Sequence, residues 1–276
     1  MLKMLKLATC AVALLVAGTI SSANAGDTLT IGLATGQTGG LAPYDGPAIE
    51  GFQIAVDEIN GAGGIGGNIM IKMISKDTRS DAAQTSIAEQ ELLEMGIDIL
   101  VTPSDADPAF AAAALATDAK VPAFSPAASS PTLPLMGGDF MFANFPGDNV
   151  QATVSAEWAY GEGFRNAYIL YSPDTQYTTL PLYFSDVWKV LGGTVAGEGT
   201  YVMGQQDFSA EVTKIKALNP PVDVIMTAAY GSDGIDSPTT FSLGDAGDGV
   251  VFSTAGHALP GSALEEFNNK FKARND

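Results

Sequence analysis

The chain has 276 residues, of which 31 are Asp or Glu and 13 are Lys or Arg, giving a net charge of −18 with a single His and a single Cys. At roughly 150 residues per domain this length allows one or two domains with a real core. The acidic balance offers no basic footprint to nucleic acid or to an anionic membrane surface, and one His with one Cys excludes a zinc ribbon or any His- or Cys-rich metal site.

Lys3 and Lys6 precede an apolar run from Leu7 to Val16 and a small-residue cleavage site, Ala23-Asn24-Ala25. Residues 1–25 therefore read as a secretory signal peptide cut after Ala25. The run is shorter than the roughly 20 residues that span a bilayer. Cys10 sits inside it and not at its end, which argues against a lipid anchor. Cleavage removes two lysines and no acid, so the exported chain carries −20 and no Cys.

The mature sequence alternates short apolar runs with longer amphipathic ones. LTIGLA (29–34) predicts a strand, and the Gly-rich loop 35–47 leads into a helix over 47–60 with Phe52, Ala55, Val56 and Ile59 on one face. Asn60 and the glycines to Gly67 stop that helix. IMIKMIS (69–75) predicts a second strand. Asp81 or Ser80 caps a helix reaching Met95, with Ile87, Ala88, Leu92 and Met95 inward. A strand at 97–102, an Ala-rich helix at 108–118 and a strand at 121–127 complete a βαβαβαβ order, which implies a parallel sheet with helices on both faces. The Pro- and Gly-rich stretch 129–146 reads as a passage between two lobes. The alternation then resumes, with helices at 149–162, 179–191 and 208–218 and strands at 167–172, 193–202 and 222–229. Residues 231–248 lack helical periodicity and run directly to an expected strand at 249–254. Leu264, Phe267 and Phe271 form an apolar stripe on a last helix. The expected division is an N-terminal lobe over 26–145, a C-terminal lobe over 146–254 and a return segment over 255–276.

Gly61 to Gly66 spells GxGxxG, but a helix precedes it and a strand follows, the reverse of a dinucleotide site. It reads as a helix stop. The loop 35–47 does follow a strand and open a helix, where open α/β sheets bind ligands, with Tyr44 as an aromatic contact. Ser104 and Asp105 follow the third strand, and Ser125 to Ser130 the fourth, so both share that sheet edge. Their hydroxyls and N–H groups suit a carboxylate, or serve as ordinary turn chemistry. Tyr171, Tyr177, Tyr183 and Phe184 lie at or after a second-half strand, some of them core. Asp233 follows another, as a binding acid or a solvated turn residue. There is no GxSxG elbow, and His257 lies far from any serine motif. Asp233, Asp236, Asp245 and Asp248 do not follow the EF-hand spacing.

The opening IGLATGQTGGLAPYDGPAIEGFQIAVDEINGAGGIGG and the loop SPAASSP resemble the periplasmic substrate-binding proteins of ABC transporters, of the Leu/Ile/Val type. The resemblance implies an α/β fold of two Rossmann-like lobes, each a parallel sheet flanked by helices, with hinge crossovers and a ligand cleft between the lobes. It implies a ligand carboxylate held at Ala127, Ala128 and Ser129 and at Ser104 and Asp105, Tyr44 as a first-lobe contact, Tyr177 and Tyr230 as second-lobe walls, and Asp233 pairing with the ammonium. It also implies a membrane permease as partner, no nucleic acid, no cofactor and no catalysis. Family members carry further elements between the Tyr230 and Asp233 positions and past Asp276, so the resemblance implies an internal deletion and a lost C-terminus. A ligand-binding sensory domain, a secreted α/β hydrolase-like enzyme and a degenerate fragment are the rival readings.

Overall fold

The computed structural model describes residues 27–173, 178–202, 205, 207–228, 248–251, 254 and 256–275. Strand β1 (Thr28–Thr35) leads to helix α1 (Ala42–Gly61), β2 (Met70–Asp77), α2 (Ala82–Glu94), β3 (Ile99–Val101), α3 (Ala106–Ala119) and β4 (Ala123–Ser125). A four-residue helix α4 (Leu133–Met136) and β5 (Met141–Ala143) follow. These five strands form one parallel sheet in the order β2-β1-β3-β4-β5. The stretch expected to be a mere passage thus supplies its fifth strand: FMFANF is apolar enough to pair with β4, and Phe142 stacks on Phe124 at 5.1 Å.

The second half runs α5 (Asp148–Gly161), β6 (Asn166–Tyr171), α6 (Thr179–Leu191), β7 (Thr194–Thr200), α7 (Ser209–Lys216) and β8 (Val224–Ala228). Its sheet is also parallel, in the order β7-β6-β8. Ala152, Ala156 and Ala159 of α5 bring that helix close to α6, whose Leu180, Phe184 and Trp188 fill the space above Ile169. Trp188 is fully buried, stacked on Phe184, edge-on to Tyr160, with its indole N–H given to the Thr194 carbonyl at 3.1 Å. Trp158, on α5, is the other tryptophan.

In the first half, small residues again permit close approach. Ala106, Ala109, Ala112, Ala113 and Ala116 line the inner side of α3, and α2 adds Ala88 and Leu92 above Ala34 and Leu100. Full burial of each such leucine is worth about 2 kcal/mol. Two faces differ from expectation. On α2, Ile87 (49% exposed) and Met95 (52%) point out, while Thr85 and Glu89 point in. On α1, Ile54 and Val56 are buried, whereas Ala55 and Ile59 are exposed. Helix α1 also has a second partner. Helix α8 (Ala263–Asn275) lies along α1, with Phe267 3.3 Å from where a Cβ on Gly51 would sit. Lys270 pairs with Glu58 at 2.7 Å, and Arg274 with Asp57 at 2.7 Å. The described residues of the expected strand 249–254 form no strand.

Candidate functional site

In the first sheet the chain runs outward in both directions from the β1–β3 neighbours, so the loops leaving their carboxyl ends part and open a crevice. The loop after β1 is held from the β2 side. Asp77 accepts the N–H groups of Gln37 (3.0 Å) and Thr38 (3.2 Å), while Ser80 accepts the Leu41 N–H and donates to the Thr38 carbonyl. Gly39 has φ +85°, and a Cβ there would lie 2.6 Å from the Arg79 carbonyl oxygen, so the loop admits no side chain at that point.

Helix α1 begins at Ala42, five residues before the expected start. Pro43 falls in its first turn, where a missing N–H costs no helical bond. Tyr44 is therefore a helical residue, half-buried, and Asp45 follows it into the crevice region. Asp45 is the residue that sequence reasoning missed. Its side chain is fully buried, with Oδ2 accepting the Gly36 N–H at 2.6 Å and Oδ1 accepting the Ser104 N–H at 3.1 Å and the Ser104 hydroxyl. Burial raises its pKa, and the bonds from Ser104 and Gly36 pull it back down. The only signal in the sequence was an acid in a short Gly- and Pro-rich stretch, which reads as a turn.

Ser104 and Asp105 stand together after β3. Asp105 caps α3 by accepting the Asp107 N–H at 3.0 Å. After β4, Ala127 is half-buried, and Ala128 and Ser129 are buried. The Ala128 N–H donates to Ser125 Oγ at 3.0 Å. Ser129 meets the second half of the chain: its carbonyl accepts the Asp148 N–H at 2.8 Å and its side chain bonds to the Asp148 carboxylate. Asp148 also accepts from the hydroxyl of Thr179, at the start of α6. Burial raises the Asp148 pKa, against lowering by Thr179 and Ser129. The structure thus places Ser104, Asp105, Ala127, Ala128 and Ser129 on the loops at one sheet edge, with Tyr44 in the first turn of α1, which opens at that edge. Tyr177, Tyr230 and Asp233 lie outside the described residues, as do residues 1–26. Among the described residues there is no group of three or more His, Cys, Asp or Glu placed to hold a metal ion, and no helix is long and apolar enough to cross a membrane.

Two parallel α/β sheets, with polar loops collected at the carboxyl ends of the strands, define an open α/β protein built to hold a small molecule outside those ends. The profile of the Periplasmic binding protein family matches residues 28–255, and the chain belongs to that family. It is 27% identical over 269 residues to the Leu/Ile/Val-binding protein BraC3 of Rhizobium johnstonii, covering 83% of this chain and 68% of that one. It is 24% identical to the leucine-, isoleucine-, valine-, threonine- and alanine-binding protein of Pseudomonas aeruginosa, over 95% of this chain and 76% of that one. Among solved structures, the leucine-binding protein LivK of Thermotoga maritima superposes with a TM-score of 0.77 at 23% identity, covering 89% of this chain and 76% of that one. LivJ of Streptococcus pneumoniae, in complex with isoleucine, gives 0.64 at 28% identity over 73% of this chain; the match spans only 57% of the LivJ chain.

Proposed function

We propose that this chain is an extracytoplasmic solute receptor that binds an amino acid or a close amide analogue and delivers it to the permease of an ABC transporter. The observation that carries the reading is the gathering of Tyr44, Ser104 and Ala127 to Ser129 at the crevice edge of a chain in this family. The names of the Rhizobium and Pseudomonas relatives favour a small aliphatic amino acid. In this reading residues 1–25 direct export and are removed after Ala25, and the lobes over 26–145 and 146–254 close on the ligand because it binds the closed form better. Asp233 pairs with the ligand ammonium, and Tyr177 and Tyr230 wall that end. The protein performs no chemistry on its ligand, so generic ester and amide substrates are expected to persist in its presence. A second reading, an aromatic acid as ligand, is favoured by a structural neighbour from R. palustris in complex with 4-hydroxybenzoate, with a TM-score of 0.65 at 20% identity.

A thermal-shift panel of leucine, isoleucine, valine, threonine, alanine, their carboxamides and 4-hydroxybenzoate separates the readings. A ligand present at 100 times its Kd adds about 2.7 kcal/mol to the folded state, a rise of roughly 5–10 °C for a chain of this size. The expected result is such a rise for an amino acid or an amide and none for 4-hydroxybenzoate. Failure of every compound to move the midpoint overturns the receptor reading.

A further inference from the structure

Asp45 stands where the strand order reverses, the position at which an open α/β sheet offers its crevice to a ligand. It joins the two loops that flank this crevice. Through Gly36 it holds the loop after β1, and through the N–H and hydroxyl of Ser104 it holds the loop after β3. All three partners are donors and the carboxyl group accepts from each, while among the described residues no Lys, Arg or His forms an ion pair with it. The crevice therefore already contains an acceptor for these three donors, and that acceptor belongs to the protein.

This changes what the site can accept. A ligand carboxylate approaching the loop after β3 needs the Ser104 hydroxyl or N–H. Taking either one leaves the fully buried Asp45 short of a donor, which opposes binding. The next loop gives no easy substitute, since the Ala128 N–H is engaged by Ser125 and the Ser129 side chain by Asp148. A carboxamide does not meet that obstacle in the same way, because its NH2 group brings donors of its own.

We propose that Asp45 is a specificity-determining residue, which closes the first-lobe end of the site to a ligand carboxylate and selects ligands that present a carboxamide there. The proposal rests on the receptor reading and narrows it from amino acids to their amides.

Matched pairs test it: leucine against leucinamide, and alanine against alaninamide, titrated by calorimetry into the mature protein and into Asp45→Ala and Asp45→Asn. Within each pair the side chain and amine are the same. The wild-type protein is expected to bind an amide at least tenfold more tightly than its parent acid. Asp45→Ala, which releases the Ser104 hydroxyl and the two N–H groups, is expected to move that ratio at least tenfold toward the acid. Asp45→Asn keeps the size and one acceptor oxygen while replacing the other with an NH2 donor; it should move the ratio the same way by a smaller factor, and it decides the matter if Asp45→Ala does not fold. An acid preferred by the wild-type protein, or a ratio unchanged in the folded variants, overturns the proposal while the receptor reading stands. Absence of binding by all four compounds to all the proteins overturns the receptor reading and the proposal with it.

Discussion

Replacing Glu89 with methionine is expected to raise the melting temperature at pH 7 by roughly 6–12 °C, corresponding to about 3 kcal/mol. Glu89 lies on the inner face of α2, fully buried, and neither carboxyl oxygen has a hydrogen-bond partner among the described residues. Burial alone pushes its pKa from an ordinary 4.5 to about 8. The native state therefore holds a proton on Glu89 at pH 7 that the unfolded chain releases. The stability linked to that proton is complete below about pH 4.5 and is lost as the pH rises through about 8. Methionine fills a similar unbranched volume with no charge to desolvate. The difference between the two proteins should accordingly be small at pH 5, large at pH 7 and greatest at pH 9. Calorimetric melts across that range check it; a variant that melts no higher than wild type at pH 8 would show that Glu89 finds a partner in solution.

Asp148→Ala acts in the opposite direction, with an expected loss of about 3 kcal/mol. This carboxylate opens α5, where an acid is favoured by the helix dipole, and it binds the side chains of Ser129, from the first half of the chain, and Thr179, from the second. Alanine leaves both hydroxyls without their acceptor, that of Ser129 buried and that of Thr179 half-buried. Asp148→Asn retains one acceptor oxygen and should lose less than half as much. The measurement is the urea midpoint of each variant. The m-value should stay at the wild-type level, because the area exposed on unfolding hardly changes. Equal midpoints for all three proteins would place the contact among those that contribute nothing.

Most strands were legible because each is a short apolar run that needs a crossover before the next, and the parallel order follows from that requirement; β5 was not, because its run lies in a Pro- and Gly-rich stretch. What the sequence hid was which helix residues face inward. Ile87 and Met95 satisfy an apolar stripe as well as Leu92 does, yet the structure buries Thr85 and Glu89 in their place. Hydrophobic periodicity assumes that polar residues prefer water, so it cannot find a helix that buries a carboxylate. The start of α1 was hidden by Pro43 and Pro47, which read as loop residues although the first belongs to the opening turn. That misplacement also concealed Asp45. As a loop residue it had no fixed direction; as a residue of α1 it reaches Ser104, 59 positions along the chain. Ser104 and Ala127 to Ser129 could be placed at one edge because each directly follows a strand. The bonds of Ser104 to Asp45 and of Ser129 to Asp148 depend on strand order and packing, which local residue patterns do not encode.

Both tryptophans of the chain, Trp158 and Trp188, reside on the α5–α6 pair, and none lies in the first sheet or its helices. Intrinsic emission excited at tryptophan wavelengths is consequently a one-sided reporter. Trp188, enclosed by Phe184 and Tyr160, should emit in the blue, while the half-open Trp158 contributes a redder component that solutes can quench. Far-ultraviolet dichroism, by contrast, sees the helices of both halves. If the two signals lose their native values at different denaturant concentrations, the halves unfold separately, and the order of the two midpoints reveals which half is the weaker without any label being introduced.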